Sequence, residues 1–372
     1  MSPRSPEVTG GGLVRWLDER YRIQDLLSFM GSKKVPVDER TPFLYLGGVS
    51  LFLFIIQVAT GILLLFYYKA GVDSSYESVR FLLVEVEFGW LVRSIHSWSA
   101  NLFILAAFLH MFSVFFMRSY RKPRELTWVT GFLLLALAMG FGFSGYLLPW
   151  NELAFFATKV GTGIAGAVPL VGKPLMFLLR GGEDVSGATL SRFFGIHVAM
   201  LPGLFVLILA IHLIAIQRQG MAEPEIWRRD PSRRRTMPFF PNFALRDLLL
   251  WLIVLNVLAL LAVFAPDGWG PFHWHLGDKA DPFAPPAPGI RPEWYFVFMF
   301  QALKLLPPQI AGVEGEVLGI LGFGAAGLLW MLLPFWDLGK KGSPRGERAM
   351  TLIGVAALAF IVIMTVLGYV LE

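Results

Sequence analysis

Cysteine is missing from this chain altogether. That absence excludes disulfides, thiolate metal sites, iron–sulfur ligation and thioether attachment of a cofactor within the polypeptide. Charge is scarce as well. Asp, Glu, Lys and Arg make up 16% of the 372 residues, against roughly a quarter in soluble domains. No tandem repeat is visible. The polar first 40 residues hold no short apolar core with a small-residue cleavage site, so no signal peptide is expected and the first apolar run directs insertion.

What is there is apolar: 55% hydrophobic residues, 15% aromatic, and a mean hydropathy of +0.60. A bilayer span needs about 20 such residues. Seven runs qualify, near 43–68, 90–117, 127–148, 193–217, 246–265, 314–335 and 349–370. The expected fold is an all-α transmembrane seven-helix bundle, its first four helices forming a four-helix bundle of their own. Residues 13–31 place Leu13, Trp16, Leu17, Tyr21, Ile23, Leu26 and Leu27 among charges, as in a helix lying on the membrane surface. The expected divisions are an interfacial segment 1–40, a first membrane domain 41–220, a polar linker 221–243 and a second membrane domain 244–372. Between the third and fourth spans, residues 149–192 read as short interfacial helices. Residues 291–307, "RPEWYFVFMFQALKLLP", read as another.

Basic residues choose the sides. Arg118, Arg121, Lys122 and Arg124 follow the second span. Arg218, Arg228, Arg229, Arg233, Arg234 and Arg235 follow the fourth, and Lys340, Lys341, Arg345 and Arg348 the sixth. The loop 69–89 sets Lys69 and Arg80 against Asp73, Glu77, Glu85 and Glu87. The N-terminus is therefore expected in the cytoplasm and the C-terminus outside. These clusters read as topology signals, not as nucleic-acid sites.

Only six histidines serve the chain, and four lie inside apolar spans. His96 and His110 are 14 apart in the second span; His197 and His212 are 15 apart in the fourth. On an α-helix, 14 steps fall ~40° short of four turns over ~21 Å, and 15 steps pass four turns by ~60° over ~22 Å. Each pair thus shares a face near opposite ends of its helix. The loop charges make the two helices parallel, so His96 meets His197 near the outer side and His110 meets His212 near the inner side. A buried polar residue in a bilayer marks function. A helix–helix hydrogen bond accounts for one histidine as well as ligation does. Two pairs at matched depth point to two bis-histidine haems, since imidazole is the axial ligand where no thiolate exists. His96, His197, His110 and His212 are then the iron ligands.

Glycines repeat the interval. Gly47 and Gly61 are 14 apart in the first span, as are Gly131 and Gly145 in the third. A flat macrocycle set edge-on to a helix needs a missing side chain there, although ordinary helix packing also uses glycine. Arg93, three residues before His96, and Arg124, at the inner end, are expected to pair with haem propionates or to snorkel to the interface.

Together these residues resemble cytochrome b of the quinol-oxidising bc complexes, in its cytochrome b6 and subunit IV branch. "GGVSLFLFIIQVATG", "FGWLVRSIHSWSA", "KPRELTWVTG", "GYLLPW" and "DPFAPP…RPEWYF" are similar to that family's motifs. Residues 1–220 resemble cytochrome b6 and 238–370 subunit IV, fused in one chain. The 15-residue interval is the b6 type. The resemblance implies quinol oxidation near the outer haem, with "PEWY", Pro292 to Tyr295, as its signature. It implies that Glu293 accepts a quinol proton and that Tyr295 and Tyr146 line the same region. One electron is expected to leave for a Rieske iron–sulfur protein and a c-type cytochrome. The other crosses inward to a quinone-reducing site, where Asp247 matches an acid of relatives, or else caps its helix. The resemblance also implies a proton gradient, a homodimer and a bacterial inner membrane.

Departures are visible too. Relatives that anchor an extra haem use a cysteine where Tyr45 stands, so a third haem has no covalent attachment here. Lys304 replaces an arginine. His273 and His275 are not family ligands and read as surface residues. A dihaem membrane anchor of a dehydrogenase would share the histidines but not need "PEWY". A transporter would lack visible absorption.

Overall fold

The computed structural model describes residues 12–224, 226–286, 290–339 and 342–371, and Lys340 and Lys341 lie outside that set. Among the described residues, six helices are long and apolar enough to cross a membrane. The first three are α1 (Leu46–Leu65), α2 (Gly89–Phe116) and α3 (Glu125–Tyr146). Two shorter helices follow, α4 (Glu152–Gly166) and α5 (Gly172–Arg180), as the half-apolar stretch 149–192 suggested. Then come α6 (Gly187–Gln219), α7 (Ala244–Phe264), the short α8 (Trp294–Lys304) that carries the end of the "PEWY" segment, α9 (Gly315–Met331) and α10 (Pro344–Val370).

The run expected as the sixth span is the exception. α9 has 17 residues, about 26 Å at 1.5 Å each, against a hydrocarbon core of ~30 Å. Leu332 leaves the helical region at φ −87° and ψ 8°. A separate turn, Leu333–Trp336, then starts with Pro334 in its first positions, where a missing N–H does no harm. The surface helix expected over 13–31 is also divided. It forms Gly12–Tyr21 and Ile23–Ser32, broken at Arg22, whose φ of 50° no α-helix accommodates.

The centre of the four-helix bundle is an apolar plug. Phe54 of α1, Phe103 of α2, Ala138 of α3 and Phe205 of α6 are all buried in one cluster. The Phe54 and Phe205 rings lie 4.4 Å apart and Phe103 to Phe205 is 5.8 Å. Each of these residues sits midway along the 14- or 15-residue interval of its own helix. The plug therefore separates two levels of the bundle.

The second half of the chain is bonded onto the first at both ends. At one end, Ser94 Oγ donates to the Ala262 carbonyl at 3.0 Å, and Trp98 Nε1 to Ala265 at 2.8 Å. At the other, Arg121 Nε reaches Asp337 Oδ2 at 2.6 Å and its Nη2 reaches Glu347 Oε1 at 2.5 Å. Arg118 joins Glu347 at 3.2 Å, and the Tyr120 hydroxyl donates to Asp337 at 3.1 Å. The Asp337 side chain is fully buried. Arginines that look like topology signals in the sequence are thus also a clamp between loops. A two-strand pairing, Val35 opposite Met237, ties the N-terminal segment to the linker.

Candidate functional site

The four intramembrane histidines lie at the two levels on either side of the plug. His96 and His197 are close enough to interact electrostatically, and so are His110 and His212. This places α2 and α6 parallel, as the loop charges require.

The extra residue in the α6 interval is absorbed locally. Residues Ile196–Met200 form a π turn, closed by a Leu201 N–H to Ile196 carbonyl bond. A π turn inserts one residue without advancing the helix. The phase of His197 to His212 then drops from ~60° past four turns to ~40° short, the phase of His96 to His110. Pro202 follows directly, so the chain there has no N–H for an ordinary α bond.

Each histidine ring faces one of the four glycines. A methyl group at Gly47 would stand 3.2 Å from Cε1 of His110, and one at Gly61 would stand 3.4 Å from Cε1 of His96. At Gly131 it would stand 3.2 Å from Cε1 of His212, and at Gly145 2.6 Å from Cε1 of His197. The imidazoles themselves occupy part of the space that the missing side chains leave. The nearest atom is always Cε1; behind it, Nε2 is the nearer nitrogen at Gly47 and Nδ1 the nearer at Gly131 and Gly145.

Hydroxyls beside the glycines fix the ring protons. Thr60 Oγ1 lies 2.9 Å from Nδ1 of His96 and donates its own hydrogen to the Ile56 carbonyl at 2.7 Å. The oxygen therefore accepts, and Nδ1 carries the ring hydrogen. Thr130 does the same for His212, at 3.0 Å from Nδ1 and 2.9 Å from the Leu126 carbonyl. Nδ1 of His197 lies 3.1 Å from Ser144 Oγ and 3.1 Å from the Phe141 carbonyl, which can only accept. In these three rings the hydrogen is on Nδ1, and the Nε2 lone pair is presented for ligation. Among the described residues, Nδ1 of His110 has no hydrogen-bond partner. The residues thus fit bis-imidazole binding of haem: neutral ligands, oriented rings and cleared space at two levels.

Arg93 is buried, and its Nη2 donates to the Trp274 carbonyl at 2.7 Å. Arg124 donates to the carbonyls of Gln219, Gly220 and Met221 at 3.1 to 3.4 Å, closing the C-terminus of α6. Both reach backbone carbonyls that the sequence did not identify.

The "PEWY" segment is brought against the bundle. Trp294 Nε1 donates to Asn101 Oδ1 of α2 at 2.9 Å. Tyr295 is buried, and Gly142 of α3 leaves the space its hydroxyl occupies. Glu293, Tyr295 and Tyr146 form one electrostatically coupled group, joined by Tyr369 near the end of α10. Burial pushes the Glu293 carboxyl up to about 7. A group with that value exchanges protons readily near neutral pH.

A third group gathers where α7 begins. The Asp247 carboxylate presses on the bare Cα of Gly48. Asp247 is in the first turn of its helix, where an anion is favoured. Its Oδ1, the Trp251 Nε1 and the Tyr45 hydroxyl are all buried, with Trp251 beside the Asp247 carboxylate and Arg246 beside Tyr45. The Tyr45 ring stacks on Phe243 at 4.4 Å. His273 and His275 are exposed, with His275 Nδ1 3.4 Å from Asp267.

Comparison with known proteins gives the family. Residues 32–220 match the family described as Cytochrome b/b6/petB, and residues 279–371 match Cytochrome b(C-terminal)/b6/petD. The cytochrome bc complex cytochrome b subunit of Chlorobaculum thiosulfatiphilum is 45% identical over 94% of this chain and 79% of its own length. Cytochrome b6 of Synechococcus sp. strain CC9605 is 43% identical over 56% of this chain and 95% of its own. A solved chain described as hyperthermophilic respiratory Complex III superimposes with a TM-score of 0.79 at 26% identity, covering 96% of this chain and 99% of that one. The chain belongs to the cytochrome b/b6 family, with its b6-like and subunit IV-like parts in one polypeptide.

Proposed function

We propose that this protein is the transmembrane cytochrome b subunit of a Rieske–cytochrome b complex, oxidising quinol on the outer side of a bacterial inner membrane. The observation that carries the reading is the pairing of four imidazoles with four glycines at two levels of one bundle. His96 and His197 are the outer axial ligands, His110 and His212 the inner ones. Bound there, two haems supply one-electron carriers at two depths of the membrane. Arg93 and Arg124 steer the haem carboxylates from the ends of the bundle in addition to the carbonyls they bond.

On the outer side, Glu293 takes a proton from quinol, with Tyr295 and Tyr146 positioning the ring beside it. Glu293 must be ionised to do so, and its raised value keeps enough of both forms near neutrality for it to pass the proton on. One electron leaves outward to a Rieske iron–sulfur protein and then a c-type cytochrome; this chain has no cysteine to hold an iron–sulfur centre itself. The other moves inward to quinone beside Asp247. The buried Tyr45 hydroxyl, Trp251 N–H and Asp247 carboxyl offer donors and a proton-exchanging group to quinone oxygens there. Protons released outside and taken up inside build a gradient. Residues 41–220 and 244–372 are the dihaem and quinol-site halves of a seven-span, homodimeric subunit, with α9 as the shortest span.

The test is a reduced-minus-oxidised spectrum of the purified complex with and without Glu293→Gln. The reading expects a b-type α-band in both proteins and impaired quinol turnover in the variant alone. Absence of the band, or full turnover in Glu293→Gln, contradicts it.

A further inference from the structure

Three of the four glycines that face a histidine follow a hydroxyl residue: Thr60–Gly61, Thr130–Gly131 and Ser144–Gly145. Each of those hydroxyls lies within 3.1 Å of the Nδ1 of the same ring. The fourth glycine, Gly47, follows Leu46. Its ring, His110, is the one whose buried Nδ1 has no partner among the described residues. Leu46 thus holds the position, one residue before the facing glycine, from which Thr60, Ser144 and Thr130 reach the other three rings.

We propose that Leu46 is a potential-setting positioning residue: by withholding a hydrogen-bond acceptor from His110, it raises the midpoint of the inner haem relative to the outer one. The inference rests on the four-histidine reading above. Its physical basis is the second shell. An N–H···O bond from Nδ1 makes the imidazole a stronger donor to iron, which favours the oxidised metal and lowers the potential. The outer pair has acceptors on both rings, the Thr60 hydroxyl on one and Ser144 with the Phe141 carbonyl on the other. The inner pair has an acceptor on His212 alone. This asymmetry runs in the direction that draws electrons inward. It is built by one side chain that touches neither iron nor quinone.

The experiment is a redox titration of the haem bands in the purified complex carrying Leu46→Thr. Leu46→Val, which has the shape of Thr without the hydroxyl, is the reference. The titration of the unmodified complex is expected to resolve two components. Leu46→Thr is expected to lower the midpoint of one of them and leave the other in place. At the reference midpoint, the oxidised-to-reduced ratio of that component should move by about threefold, or about 28 mV for one electron. Thr130→Val, which removes the hydroxyl acceptor from His212 and leaves the Thr127 carbonyl, should move the same component upward by a smaller step. Thr60→Val should move the other component upward. If Leu46→Thr fails to assemble, the two valine variants still decide the matter, since unchanged midpoints in both would overturn the proposal. It is equally overturned by two intact haems with unshifted midpoints in Leu46→Thr, or by Leu46→Thr and Thr60→Val acting on one component. A complex without haem would instead overturn the underlying four-histidine reading.

Discussion

A methyl group at Gly145 would stand 2.6 Å from Cε1 of His197. That is inside van der Waals contact, and the ring has no room to retreat, because its Nδ1 is held by Ser144 and the Phe141 carbonyl. Gly61 is more forgiving, with 3.4 Å to Cε1 of His96. Gly145→Ala is therefore expected to lose the outer haem, lowering haem content to about one per chain, because a packed site does not absorb an added methyl. Gly61→Ala should keep both. Haem content per polypeptide in purified complex, measured for both variants, checks the contrast.

Glu293 gives a pH prediction with a definite sign. Burial raises its carboxyl to about 7. Below that value it is protonated and cannot accept a quinol proton. Turnover should therefore rise with pH through about 7 in the unmodified complex. In Glu293→Gln it should drop on the order of 10²-fold and lose that step. Steady-state quinol oxidation from pH 5.5 to 8.5 reads both effects.

Gly142 supplies a separate test of the quinol site. An added Cβ would overlap the buried hydroxyl of Tyr295. Gly142→Ala should slow quinol oxidation on the order of 10²-fold through misplacement of that ring. Both haems should remain, because the atoms nearest the added Cβ belong to Tyr295 and Ile104. Parallel haem spectra and turnover separate this outcome from general misfolding.

Asp337 tests the clamp between the halves. Burial alone would raise its carboxyl, but Arg121 and the Gly339 N–H hold it below the usual carboxylate range. A depressed carboxylate contributes stability above its unfolded value and loses it as pH falls through the folded one. Asp337→Ala leaves Arg121 and Tyr120 without their shared acceptor and should cost on the order of 3 kcal/mol. Thermal loss of the haem band should move to lower temperature at pH 7. The difference from the unmodified complex should shrink towards acid pH.

Much of the site was legible because its signals are intervals. Spacings of 14 and 15 residues set His96 over His110 and His197 over His212, and the matching glycine interval repeats them. The ring contacts were not legible. Spacing assigns Gly47, Gly61, Gly131 and Gly145 to the edge of a flat macrocycle, and carries no signal that each also lies against an imidazole. The hydroxyl–glycine dipeptides were present in the sequence and would have pointed to Thr60, Thr130 and Ser144. The π turn at Ile196–Met200 had no signal beyond Pro202 and the longer interval. Long polar side chains were the least readable. Arg93 and Arg121 reach Trp274 and Asp337, 181 and 216 residues away, and no local pattern encodes such partners. The span at 314–335 read as continuous because hydropathy does not register where Leu332 leaves the helix.

Counting haem against polypeptide tests the central claim most directly. The pyridine haemochrome of the purified complex, set against the amount of this chain, should give two b-type haems per chain, falling when any of His96, His110, His197 or His212 is replaced. A value of one or none, or two haems that survive loss of those imidazoles, would contradict it.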